Sequence, residues 1–305
     1  MTLKEKTQKS GPRSLRAARL QFQLSSFWSE FRRQPAGVIG LVVMVLAVAL
    51  AVLAPVLFPE RMLDVTQTNN APNTAPNGEF LLGTDSRGID VLAQLIWGSQ
   101  ASLMVAFSAT AISMVIGTLV GMAAGHFTGA VQGVLMRIID FFLVVPQLVL
   151  ALTLSAIIGP GVVTIIIAIG VTGWAGTARI VRSQTLTIET QAYIERSRAL
   201  GSGDVHILGR HVLPGVMPLV LAQTTLTVAL AVIAESTLAF LGLGDPSTVS
   251  WGSMLKMAMD SGAATAGYWW IVISPGVAIV IVVLAFTLVG RAMESVFNPT
   301  LRGNK

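Results

Sequence analysis

The chain contains no cysteine, which excludes disulfides, thiolate nucleophiles and thiolate metal sites while leaving the redox compartment open. Charge is almost as scarce: Asp, Glu, Lys and Arg make up 11% of the residues, against about 25% in ordinary soluble domains. So little charge cannot cover a soluble surface. With 53% hydrophobic residues and a mean hydropathy of +0.73, the chain belongs in a bilayer. No G-x-x-x-x-G-K-[ST] phosphate loop occurs, so the chain has no such means of holding ATP. No H-E-x-x-H occurs either. His126, His206 and His211 therefore offer no recognisable metal site, and solvated or capping roles are expected. The formal net charge of +5 does not imply nucleic acid, because the basic residues flank apolar runs, where lipid headgroups attract them.

What is present is a series of long apolar stretches. Gly37–Phe58 carries no charge and is too long for the core of a signal peptide, so it is expected as a retained first span. The preceding Gln21–Arg33 has the composition of a short interfacial helix. Five more stretches reach or approach the roughly 20 residues needed to cross a bilayer: Ser102–Ala124, Val134–Ile158, Gly161–Ala178, Pro214–Phe240 and Tyr268–Gly290. The fourth of the six spans is the shortest and extends naturally into Arg179–Thr185. An all-α polytopic fold with six transmembrane helices is predicted.

Basic residues orient it. Placing the N-terminus inside leaves only Arg61, Arg87 and Lys256 outside, as the positive-inside rule requires. The expected organisation is a cytoplasmic segment 1–36, a first span 37–58, an extracytoplasmic segment 59–100, a membrane core 101–290 holding a cytoplasmic loop 186–213, and a cytoplasmic tail 291–305. Both termini then face the cytoplasm. In the outer segment, Thr66–Gly78 reads as irregular, Gly83–Gly88 as a turn, and Asp90–Gly98 as an amphipathic helix. A second outer segment, Gly242–Gly267, leads into Tyr268-Trp269-Trp270, placed as an aromatic belt.

The most informative stretch is the polar island Tyr193–Pro214. Gln191–Leu200 favours a helix, and Gly201 suits the position just past its end because it accepts positive φ. Asp204 can cap a second helix, Val205–Val212, and Pro214 fits the first turn of the fifth span. Two short helices joined at a glycine form a knob for a soluble partner; a plain solvated connection is the alternative.

This island resembles the EAA motif of permease subunits in bacterial ABC importers, with Glu195 at the acidic position, then Gly201 and Leu213-Pro214. Arg196 and Ser197 stand where that motif has alanines. The resemblance runs from Phe80 almost to the C-terminus. Leu82-Gly83-Thr84-Asp85 with Asp90-Val91-Leu92, Met136-Arg137 with Asp140 and Pro146, and Ala234-Glu235 with Phe240-Leu241-Gly242 carry it. So do Trp251-Gly252 and Asn298-Pro299 with Leu301-Arg302. The pattern is similar to the second permease chain of dipeptide, oligopeptide and nickel importers.

The resemblance implies a type I importer permease, not an enzyme, in a bacterial inner membrane. Its partners would be a second homologous permease chain, one or two cytoplasmic ATPase subunits carrying ATP and Mg, and an extracytoplasmic substrate-binding protein. This chain would bind no cofactor and carry no catalytic residue. The island would be the coupling loop, with Tyr193, Glu195, Arg198, Ala199, Gly201 and Pro214 as its ATPase-facing residues. Short peptides are the expected cargo, with nickel or another small solute as the alternative. A proton-coupled transporter using Asp140 and Glu235 is a more remote one.

Three further features need placing. Gly117, Gly121 and Gly125 recur on one helical face, as close helix packing requires; Gly170, Gly173 and Gly176 do so less regularly. Asp140 is expected to pair with Arg137 one turn away. Glu235 has no basic residue within a turn, and fits either a pathway wall or a hydrogen bond inside the bundle. Gly98-Ser99 invites comparison with a serine protease, but His126, the nearest base, is expected across the bilayer.

Overall fold

Pro35, at a first helical turn where its missing N–H costs nothing, opens helix α1 (Pro35–Leu57). The computed structural model describes residues 28–67 and 69–297. It continues with α2 (Val91–His126), α3 (Ala130–Val144), α4 (Gln147–Ile158), α5 (Val162–Thr172), α6 (Trp174–Glu189), α7 (Ala192–Ala199), α8 (Asp204–Ile207), α9 (Leu213–Phe240), α10 (Trp251–Asp260) and α11 (Trp269–Phe297). The β-pairing among the described residues is a single bridge, Thr84 to Asp90. The fold is all-helical, and the protein is a multi-pass membrane protein. Five helical runs are long and apolar enough to cross a bilayer, and α3–α4 makes six when counted as one broken span. Exposed Val42, Leu46 and Val56 on α1, and Val280 and Leu284 on α11, form an apolar exterior suited to lipid rather than water.

Several boundaries differ from expectation for local reasons. Asp90 caps α2 by accepting the Leu92 N–H at 2.8 Å, which satisfies one of the donors a helix start leaves open. Burial raises its carboxyl above the ordinary range. The predicted outer helix Asp90–Gly98 is therefore the beginning of α2, whose 36 residues reach about 54 Å. The third span is broken rather than continuous: α3 and α4 meet at 88°. Val145, forced out of the helical region by Pro146, has ψ 128°. The sixth helix passes the expected end at Gly290 and runs to Phe297.

The loop's second helix does not stop at Val212. It runs on as one span from Asp204 to Phe240 through a π-helical turn, Leu208–Val212, in which the Leu213 N–H bonds to the Leu208 carbonyl five residues back. Pro214 is the second residue of α9, in its first turn as expected, although the helical run enters α9 from the π-turn without a break. The widened turn accommodates a residue that cannot donate to the ladder.

Glycines set the closest approaches. A methyl at Gly117 would meet Thr177, at Gly121 the Ala178 carbonyl and Val181, and at Gly125 Thr185. The glycine stripe of α2 therefore packs on the Thr177–Val181–Thr185 stripe of α6, within this chain. Gly170 packs similarly on Ile112, whereas Gly176 faces open space.

At the Asp90 end, α10 folds back over the bundle. Its start is a capping box built by Ser250 and Ser253, a helix the sequence reading did not anticipate. Trp251 donates to the Leu95 carbonyl at 3.0 Å. Trp270, expected in an aromatic belt, is buried and donates to the Thr84 carbonyl; Trp269 stays exposed. Of the predicted interfacial segment, Gln21 to Phe27 lie outside the described residues. The remainder stacks Trp28 on Phe31, with the Arg32 guanidinium over the indole.

Candidate functional site

The polar island folds as a knob at the His126 end of the bundle, and its base is apolar. Ile194 on α7, Ile207 on α8 and Val212 are fully buried, packing in one cluster with Val181, Ile188 and Val216. Gln191 precedes α7 in an extended conformation, as a helix start requires. Gly201 follows at φ +86°, the left-handed conformation expected of it, with its N–H bonded to the Arg198 carbonyl.

Polar contacts fix the knob to the bundle. His126, the last residue of α2, has a side chain only 2% exposed. Its Nδ1 lies 2.5 Å from Glu189 Oε1, and its Nε2 lies 3.3 Å from Asp204. The other Glu189 oxygen accepts from Arg198 at 2.6 Å. Two transmembrane helix ends and both helices of the knob thus converge on one imidazole and one carboxylate. The expectation of a solvated or capping His126 is corrected: it lies between two carboxylates. His211 contacts the rings of Tyr193 and His206. Among the described residues no group of three or more His, Asp or Glu is arranged to hold a metal ion.

The residues singled out from the sequence separate into two sets. Tyr193, Glu195, Ala199, Gly201 and Pro214 are exposed. Arg198, although exposed, is turned back onto Glu189. At the tip the sequence reading missed Leu200 and Val205, each 87% exposed on either side of the Gly201 turn. Large aliphatic residues flanking a glycine inside a charged stretch were the available signal. For His126 and Glu189 there was none, because 63 residues separate them.

The intramembrane acids are placed apart. Asp140 does not pair with Arg137; it accepts from Arg179 on α6 at 2.6 Å, because α3 packs against α6 and brings a closer guanidinium. Both partners are about half exposed, so the pair contributes only about 0–1 kcal/mol. Glu235 is 2% exposed; it accepts from the Ser236 hydroxyl at 3.2 Å, and the Ser250 and Ser102 hydroxyls stand beside its carboxyl, bringing α9, α10 and α2 together inside the bundle. Ser99 and His126 lie on one helix, about 40 Å apart, which removes any Ser–His pair.

The comparisons with known proteins agree with this architecture. The family model described as "Binding-protein-dependent transport system inner membrane component" matches residues 117–303, more than half the chain. The chain belongs to that family. A second model, the N-terminal TM domain of oligopeptide transport permease C, matches residues 23–76. The chain is 34% identical over 276 residues to the dipeptide transport system permease protein DppC of Bacillus subtilis, covering 90% of this chain and 85% of that one. It is 34% identical to the di/tripeptide transport system permease protein DppC of Pseudomonas aeruginosa, covering 92% and 93%. It is 33% identical to the glutathione transport system permease protein GsiD of Pectobacterium atrosepticum, covering 90% and 91%. The match of the family model spans α2 from Gly117, the knob and the last span, and these are permeases rather than enzymes.

Proposed function

We propose that this chain is one permease subunit of an ATP-driven importer of short peptides. It forms half of the translocation path beside a second, related permease. The knob faces the cytoplasm and seats on a separate ATPase subunit, and the Asp90 end with α10 faces an extracytoplasmic binding protein. The termini are cytoplasmic. The observation that carries the reading is the knob itself: an aliphatic tip, Leu200 and Val205, held on a buried base and tied by Glu189 and His126 to the ends of α2 and α6. A rigidly anchored apolar tip suits a lever seated in a partner's groove, since an interface of this kind rests on a few buried anchors. With no phosphate loop in the chain, ATP and Mg belong to that partner.

Peptides are favoured as cargo by the names of the relatives, and the mechanism needs no reaction at the substrate. Transport requires two global states that nucleotide and peptide bind differently. A proton relay finds no support, since Asp140 and Glu235 contact α6 and Ser102 respectively, about 30 Å apart along the bundle.

The test is uptake of labelled di- and tripeptides by membranes carrying the complete transporter, together with its ATP hydrolysis. Gly201→Pro or Glu195→Lys is expected to leave the complex in the membrane with hydrolysis uncoupled from uptake. Unchanged uptake in both variants removes the assignment of the knob.

A further inference from the structure

A cavity of about 260 Å³ opens midway along the bundle, and every residue lining it is neutral. It sits where two membrane segments break together: at Val145–Pro146 between α3 and α4, and at Gly173 between α5 and α6. Irregular backbone at membrane depth is tolerated only where it is buried in protein or lines a watery cavity.

Most hydroxyls lining the cavity are satisfied within the protein, Ser113, Thr172 and Thr227 donating to backbone carbonyls, and Thr110 is the exception. Thr110, halfway along α2, is 2% exposed, and its hydroxyl makes no hydrogen bond. A buried hydroxyl without a partner is costly, and of the unsatisfied hydroxyls among the described residues this is the one that lines this cavity. Across from it stand two carboxamides, Gln147 at the start of α4 and Gln223 on α9. The Gln147 amide nitrogen lies against Gly173, 2.8 Å from where a methyl would be, with the Ser113 hydroxyl at 2.9 Å. The glycine therefore lets that carboxamide lie close to the backbone. On the open side is Gly176, with nothing within 4 Å of a methyl at that position.

We infer that this cavity is a transit subsite for the backbone of a short peptide, in which Thr110, Gln147 and Gln223 hydrogen-bond its amide groups. The inference rests on the peptide-importer reading. A carboxamide offers both a donor and an acceptor, as a peptide unit does, and so can meet either of its groups. The absence of ionic lining residues means that neither terminus nor any charged side chain is selected here, which suits a path for varied sequences. No carboxylate or imidazole lines the cavity, so it has none of the usual protein ligands of nickel.

The complete transporter supplies the test. Each hydrogen bond lost to a neutral partner is worth about tenfold or somewhat less. Thr110→Val and Gln223→Leu are therefore expected to lower tripeptide uptake at subsaturating peptide by roughly five- to tenfold, while binding-protein-stimulated ATP hydrolysis stays within about twofold. Thr110→Ser restores uptake, because it keeps the hydroxyl. The chain has no native cysteine, so Thr227→Cys, beside Gln223 in the cavity, reports occupancy directly. Its modification by a hydrophilic maleimide is expected to slow when tripeptide is in transit. Wild-type uptake of peptide with unchanged uptake in both variants and no protection of the thiol overturns the subsite. If Thr110→Val fails to reach the membrane, the thiol measurement alone decides. If the wild-type complex takes up nickel and no peptide, the parent reading fails instead.

Discussion

The imidazole of His126 lies 2.5 Å from the Glu189 carboxylate, at the end of the seam where the glycines of α2 pack on α6. Glu189 is one turn beyond Thr185, which faces Gly125. The pair therefore locks the last step of a helix–helix contact that runs along the bundle, and Arg198 and Asp204 extend the lock into the knob. Removing one partner strips the other of its closest buried contact, leaving Glu189 only Arg198, or His126 only Asp204. His126→Phe or Glu189→Leu is expected to cost about 1–3 kcal/mol locally. The knob should become sensitive to limited proteolysis before the membrane helices unfold. Equal protease resistance in wild type and both variants would show that the apolar base alone holds the knob.

Leu200 and Val205 should behave in the opposite way. Both side chains stand in the open, so Leu200→Asp and Val205→Asp are expected to change the thermal stability of the isolated chain by less than about 0.5 kcal/mol. Co-purification with the ATPase should nevertheless be lost. Retained co-purification with the double substitution would place the contact elsewhere.

Glycine substitutions separate packing from composition. Gly121→Leu drives a side chain into the Ala178 carbonyl and Val181 and is expected to destabilise by about 1–3 kcal/mol or more. Gly133, in α3, has nothing within 4 Å, so Gly133→Ala should be neutral or stabilising by up to about 1 kcal/mol. Thermal unfolding in detergent distinguishes the two.

Glu235 is buried where α9, α10 and α2 meet, and a structural role is expected of it. Glu235→Gln keeps a side chain able to bond the hydroxyls of Ser102 and Ser250, and should remain near wild type. Glu235→Leu strands those hydroxyls, at about 1–3 kcal/mol. Uptake in both variants should have the same dependence on external pH as wild type. Loss of a proton-driven component in Glu235→Gln would reopen the proton-coupled reading.

Much of this architecture was legible in apolar runs and punctuation residues. Long apolar stretches marked the spans, Gly201 marked the end of α7, and the glycine stripe of α2 marked a close packing face. Sequence could not say against what that stripe packs, because Thr177, Val181 and Thr185 carry no matching signature of their own. Pro146 was visible, but not whether the chain would bend through 88° or merely kink. Pro214 marked the first turn of α9 as expected, but nothing announced the π-turn that joins α8 to it. Asp140 paired across helices because tertiary contact placed Arg179 nearer than the local Arg137. The His126–Glu189 pair depended wholly on the fold.

The side of the membrane on which the knob lies, and what it touches there, can be measured together. Leu200→Cys in the cysteine-free chain would be exposed to an impermeant thiol reagent, and to a short bifunctional cross-linker in the assembled transporter. Modification in inside-out but not right-side-out vesicles is expected, with a cross-linked product that contains the ATPase chain. Modification from outside intact cells, or a product lacking the ATPase, would contradict the assignment of the knob as the coupling element.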